Sequence, residues 1–441
     1  MFRYRPNLNR SVEVLIATLL LMMTLVLAPS ASASDKKKQA QSDAAKSAAV
    51  EQPKQDTSKL AWPTPPNIPR VRYTNYFAGM PLDFTPESQQ AKKKSTWMDR
   101  LAGVQDPNNK GHFKPIPFQL LAPYGMAVNS KGNLYVADQK VGAIFIFNTE
   151  TKDTTLIANG KDATFALING VAFDDDDRLF VTDGKLKRVL IFDKSNKVVD
   201  MIKDGLVDPV GIAVDTENRQ VYVVDTQADQ VVVYDADTLK EKRRIGTGGK
   251  KHELTTPGDF SLPSFVALDK DNNVYVTDTM NYRVEIFDAD GKYISQIGKH
   301  CDGPGCFAHP KGIAVDSDGN IWVADPMLDL LQAFNKEGQL LGIVGGHGNL
   351  LGQFSSLDGV YIDKNNRIFT SEQYPGRVQM FRYITDAEAE QLKKEKEAQR
   401  GAAKAANQAP AAPAQQAAPA QQVAAVPAAV APAPAKTEAT K

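Results

Sequence analysis

PKGIAVDSDGNIWVAD, from Pro310 to Asp325, reads as two short β-strands joined by a tight turn. Apolar and β-branched residues cluster from Ile313 to Val315 and from Ile321 to Ala324. Between them lies Asp316-Ser317-Asp318-Gly319-Asn320, made of residue types that favour turns. The apolar runs are too short for a helix and lack its spacing of three and four.

The same unit recurs along the middle of the chain. PYGMAVNSKGNLYVAD starts at Pro123, INGVAFDDDDRLFVTD at Ile168, PVGIAVDTENRQVYVVD at Pro209, PSFVALDKDNNVYVTD at Pro263 and LDGVYIDKNNRIFTSE at Leu357. With the opening stretch this makes six units, at a spacing of roughly 40 to 50 residues that suits propeller blades. Each continues into a third apolar strand, ending at Phe147, Phe192, Tyr234, Phe287, Phe334 and Phe381, and a fourth follows in most. One four-stranded blade cannot bury both faces, so the units are expected to stack radially into an all-β, six-bladed β-propeller over residues 117–385. The sixth unit turns polar at Thr385 and leaves its outer place empty. Val71 to Phe77, within PRVRYTNYFAG, is the strand-like stretch upstream and is expected to fill that place and close the ring.

The ends read differently. Residues 1–33 have the layout of a secretory signal peptide: Arg3, Arg5 and Arg10, an apolar run from Val14 to Ala28, then Ala31-Ser32-Ala33 as the cleavage site. An uncleaved anchor is the alternative, but the run is short for a hydrocarbon core of about 30 Å. The mature chain is expected in the periplasm or outside the cell, with no stable membrane span. Residues 34–60 read as a disordered linker, and 401–441, rich in Ala, Pro and Gln, as a disordered tail. Residues 61–116 form an N-terminal extension holding the closing strand and a short helix-like stretch at Ser95 to Val104, whose Trp97, Met98 and Leu101 are placed to pack against a blade but which reads better as a connector. Residues 386–400 read as a solvated helix or charged spacer. Lys plus Arg (52) balance Asp plus Glu (52), which argues against nucleic acid as a partner.

The recurring P-x-G-I-A-V-D, V-x-D and R-V-x-I-F elements resemble the NHL repeat family from about Pro117 to Ile384. Two positions depart from the pattern: Phe265 stands where the other units have glycine, and Glu372 replaces the closing aspartate. The leader AWPTPPNIPRVRY (Ala61 to Tyr73) is similar to the segment before the propeller in envelope NHL proteins of bacteria rich in multihaem cytochromes. The resemblance implies the six-bladed fold. For function it implies a spread, from protein-binding sensors and RNA-binding modules to a zinc-dependent amidating lyase.

Strand order puts the turn before each first strand and after each second strand on one face. Tyr124, Asn169, Val210, Ser264, Lys311 and Asp358 are then expected near the axis, ringed by the second-strand acids Asp138, Asp183, Asp225, Asp278, Asp325 and Glu372. Converging carboxylates could hold a cation. An aspartate ending a strand more often caps its own turn. The residues expected to meet a partner are Tyr124, Lys140, Lys185, Met280, Tyr282, Arg283, Lys311, Met327 and Tyr374, because variable loops on a constant scaffold carry recognition. Cys301 and Cys306 in CDGPGC are expected to form a local disulfide in an oxidising compartment. A zinc or haem reading of the string His300, Cys301, Cys306 and His309 is the alternative, though Phe307 stands where covalent haem attachment needs histidine. The five histidines, His112, His252, His300, His309 and His347, fall in inter-blade loops. The acidic turns at Asp174 to Asp177 and Asp316 to Asn320 lack the ligand pattern of an EF-hand. With no nucleotide or nucleophile fingerprint, no catalytic residue, metal or cofactor is expected. The expectation is a non-enzymatic scaffold that binds an envelope protein or peptide, a role in assembling or docking multihaem cytochromes being what the resemblance alone implies; a small-molecule-binding, metal-binding or hydrolytic or lyase propeller is the alternative.

Overall fold

The computed structural model describes residues 55–64, 66–79, 119–160, 163–249, 251 and 255–408. The leader, the stretch from Ser95 to Val104, His112, His252 and the tail beyond 408 lie outside the described residues. Two units are distinguished: a propeller ending at Thr385, and a C-terminal unit from Asp386 onward.

Five blades are four-stranded antiparallel sheets. Their strands are Pro123–Val128, Asn133–Asp138, Ala143–Asn148 and Thr154–Ala158 in blade 1, and Ile168–Phe173, Leu179–Asp183, Arg188–Phe192 and Val198–Ile202 in blade 2. Blade 3 has Pro209–Asp215, Gln220–Asp225, Gln230–Asp235 and Glu241–Ile245. Blade 4 has Pro263–Leu268, Val274–Asp278, Arg283–Phe287 and Tyr293–Ile297. Blade 5 has Ile313–Val315, Ile321–Asp325, Leu330–Phe334 and Leu340–Gly345. Blade 6 takes Leu357–Ile362, Arg367–Glu372 and Arg377–Tyr383 from the end of the repeat region and Val71–Phe77 from the N-terminal side. Val71 pairs with Tyr383 and Phe77 with Val378, so the closing strand lies where its sequence implied.

Beyond the sequence reading, Ala61–Trp62 adds a fifth strand to blade 6. The 34–60 linker boundary also needs correction at its end. Gln55 exchanges hydrogen bonds with the backbone of Leu351, and Leu60 packs on the blade 6 core. Residues 55–60 thus belong to the packed propeller, where apolar Leu60 and Trp62 give them something to bury. The C-terminal helix, Asp386–Gln408, runs past residue 400, carried on by the alanines after Gly401.

Apolar residues on both faces of the second and third strands make the core, because each blade is covered by its neighbours on both sides. Phe145, Phe180, Tyr222, Tyr275 and Phe369 are among the largest side chains fully withdrawn from water, each burial worth about 2 to 3 kcal/mol. Near the axis the blades approach so closely that a Cβ on Gly170 would lie 2.5 Å from the Val210 carbonyl oxygen, and one on Gly312 2.5 Å from the Val360 nitrogen. Phe265 escapes this limit by turning inward. Blades 1 and 4 oppose each other in a ring of six, and the Tyr124 and Phe265 rings meet at 5.0 Å between centroids. They cap an axial cavity of about 610 Å3 that extends to the turn residues Ser130, Thr216 and Lys364.

Candidate functional site

The second-strand acids are fully buried and hold loops together. Asp138 accepts N–H donors from Lys140 and Val141 in its own turn, and from Leu121 and Ala122 in the loop that enters the blade. Asp325 does the same with Met327 and Leu328, then Ala308 and His309. Asp183 likewise takes Leu186 together with Ala166 and Leu167. The turn-capping role is therefore present, and the clamp on the incoming loop is an addition the repeat pattern did not reveal.

Nearer the axis, side chains link each blade to the next around the ring. Gln139 donates to Asn169 (2.8 Å), Asn169 to the Pro209 carbonyl (3.0 Å), and Thr226 to the Pro263 carbonyl (2.7 Å). Thr279 donates to the Pro310 carbonyl (2.9 Å), Lys311 to Asp358 (2.5 Å), and Ser371 to the Tyr124 carbonyl (2.8 Å). Gln373 completes the second oxygen of Asp358 at 2.6 Å. The polar groups expected to converge on a ligand thus largely converge on one another. Half-buried His309 sits beside this belt, its pKa lowered by burial and by the Lys311 ammonium.

Two residues expected to contact a partner are not available to one. Tyr124 is 8% exposed, because its ring is covered by Phe265 and the Lys311 ammonium lies 5.8 Å from its centroid. Arg283 is buried because its guanidinium pairs with Asp278 at 2.8 Å and Glu285 at 3.0 Å. Lys311 is partly buried in its ion pair with Asp358. Lys140 and Lys185 are exposed, Tyr282 is partly so, and Met280 (41%), Tyr374 (66%) and Met327 (72%) project into solvent.

Exposed large apolar side chains are unevenly placed. Among the described residues, Leu167, Leu186, Val207, Leu262, Met280, Met327, Leu350 and Tyr374 lie on the loop face. Tyr76, Val199, Ile294, Leu340, Leu341 and Ile343 lie on outer strands, and the opposite face of hairpin turns has none. That hairpin face is tied to itself. Ser130 meets Asp177, Arg219 meets Asp175, Asn272 meets Glu217, Lys336 meets Asp269, Asn366 meets Ser317, and Arg367 meets Thr149, one link at each blade junction. Asp174, Asp175 and Asp176 are the group among the described residues whose carboxylates come within 4.8 Å of one another. Arg219 reaches all three and Arg178 holds Asp174, so the turn is neutralised by arginine.

Cys301 and Cys306 are joined, with 5.5 Å between their Cα atoms, in the loop entering blade 5. This removes the thiols from the metal-ligand reading of that string. His347 lies against Asp329 at 2.6 Å on the loop face.

A further motif went unread in the sequence. In Gly258-Asp259-Phe260, Gly305-Cys306-Phe307 and Gly352-Gln353-Phe354, the glycine N–H donates to Glu285, Gln332 and Gln379 respectively, each time at 2.8 Å. The phenylalanine fills space beside Gly246, Gly298 and Gly345, where a Cβ would collide with its ring. The signal was the repeated Gly-x-Phe and the third-strand Glu or Gln.

Residues 88–308, half of the chain, match the family described as SMP-30/Gluconolactonase/LRE-like region, and residues 253–412 match one described as 6-bladed beta-propeller. No curated protein matches the chain. Among solved structures it is similar to a catalytically inactive virginiamycin B lyase from Staphylococcus aureus with quinupristin, at 15% identity and TM-score 0.45 over 60% of this chain and 95% of that one. A gluconolactonase from Xanthomonas campestris gives 17% identity and TM-score 0.47 over 60% and 87%. A protein of unknown function from Bacteroides thetaiotaomicron gives 16% and 0.49 over 64% and 74%. At such identities, what those proteins act on remains a property of theirs. By the residues matched, the chain belongs to the SMP-30/Gluconolactonase/LRE-like family and is a six-bladed propeller within it.

Proposed function

We propose that this propeller is a non-enzymatic scaffold of the bacterial cell envelope that holds a protein or peptide partner on its loop face. The observation that carries the reading is the placement of exposed apolar side chains, which occur on the loop face and on outer strands and are missing from the hairpin face among the described residues. Protruding Met and Tyr side chains adapt to a partner and exclude water from the contact. Further support comes from the axial belt, whose polar groups are engaged between blades. The envelope location rests on the leader in residues 1–33.

The test is capture of the tagged mature chain from cross-linked envelope, with metal content measured on the same sample. A stoichiometric partner is expected, lost from the Met280→Ala, Met327→Ala, Tyr374→Ala triple variant while the melting temperature stays within a few degrees. No partner together with stoichiometric metal would overturn the reading in favour of an enzyme.

A further inference from the structure

This inference rests on the binding reading above and names the chemistry of the partner. Lys140, Lys185, Lys187 and Lys203 are all exposed on the loop face over blades 1 to 3, and none is drawn into an ion pair among the described residues. Exposed Asp204 and half-buried Asp208 lie among them, so the arc sets four ammonium groups against two carboxylates on a chain that is neutral as a whole. Asp138, Asp183 and Asp225 beneath it are fully buried and turned to backbone N–H donors, so their charges are withdrawn from the surface. Asp208, half-buried beside Lys187, has its pKa raised by burial and by the Asp225 carboxylate. On the other side of the mouth, over blades 5 and 6, Met327 and Tyr374 are the most exposed large apolar side chains of the loop face.

We propose that the partner presents an acidic, amphipathic polypeptide segment, with apolar or aromatic residues seated over blades 5 and 6 and carboxylates over the lysine arc of blades 1 to 3. Charge complementarity selects the sign, since a basic segment would meet four ammonium groups against two carboxylates. Leu167, Leu186 and Val207 lie exposed among the lysines while the most exposed apolar tips, Met327 and Tyr374, lie over blades 5 and 6, so the surface suits a segment that combines carboxylates with apolar side chains, and the vesicle arm of the test separates it from an anionic bilayer.

The test is to pan a random phage-displayed peptide library on the immobilised full-length chain and measure enriched peptides by fluorescence anisotropy. Enriched sequences are expected to pair Asp or Glu with Leu, Phe or Tyr. Binding should weaken at least about tenfold in the Lys140→Glu, Lys185→Glu, Lys187→Glu, Lys203→Glu variant, equivalent to about 1.4 kcal/mol, and similarly in Met327→Ala, Tyr374→Ala. Raised salt on the unaltered chain should weaken it too, a readout that needs no variant to fold. Enrichment without acidic excess, failure to enrich any peptide, or affinity unchanged by the lysine reversals overturns the proposal. Lysine-dependent sedimentation with phosphatidylglycerol vesicles and no peptide enrichment overturns it in favour of a membrane surface. If the envelope partner is captured but ignores the lysine reversals, the chemistry proposed here fails while the binding reading stands.

Discussion

Glu285 occupies the place in blade 4 that Gln332 and Gln379 occupy in blades 5 and 6, accepting the same glycine N–H. A carboxylate does there what an amide does elsewhere, and burial pushes its pKa up to about 7 despite Arg283 beside it. Glu372 is likewise raised to about 7 by burial, against the pull of Arg377. Both folded values lie above the ordinary carboxylate range, so their favourable contribution is complete below about pH 4.5 and is lost as pH rises through 7. Glu285→Gln keeps the acceptor for Gly258 and removes the charge, while Arg283 retains Asp278. The variant is expected to be more stable by about 2 kcal/mol at pH 8, with the gain shrinking toward pH 5. Urea melts at the two pH values check this, and an equal difference at both would show that protonation is not involved.

At the scale of elements, closure decides stability. The strand Val71–Phe77 buries Val71, Tyr73 and Phe77, and Trp62 places its ring edge-on to Phe381 at 5.6 Å between centroids. Deleting residues 55–79 opens blade 6 and exposes that core, and should lower the melting temperature on the order of 10 °C or more; an unchanged transition would mean that the ring does not depend on this strand. The outer strands of blades 2 to 6 share a register shift at one position, leaving Val199, Lys242, Ile294, Leu341 and Thr74 in bulges. Such bulges twist an edge away from pairing with another chain. They went unread because a single extra residue leaves the alternation around it intact. The disulfide and the closing strand were legible because each depends on residues near in sequence or on one vacancy in a repeat.

The molecule as a whole has two unlike faces. Hairpin turns are knitted together by polar side chains at every blade junction, whereas the loop face exposes apolar side chains and lysines. Lys194→Glu with Lys364→Glu, both exposed at hairpin turns, should therefore leave partner capture unchanged and alter stability by less than about 0.5 kcal/mol. Loss of capture in that variant would move the binding surface to the hairpin face.

The number of blades, the order of their strands, the acids that end the second strands and the source of the closing strand were all determined by the sequence. Each follows from alternation, turn residues and repetition, which act over a few neighbouring positions. Only the tertiary structure decided which loop residues a partner can reach. Tyr124 is covered by Phe265 from the opposite blade, and Met327 is left in solvent because nothing described packs over it. Repeats specify the blade, and the exposure of a loop residue depends on side chains brought from blades far away in the chain.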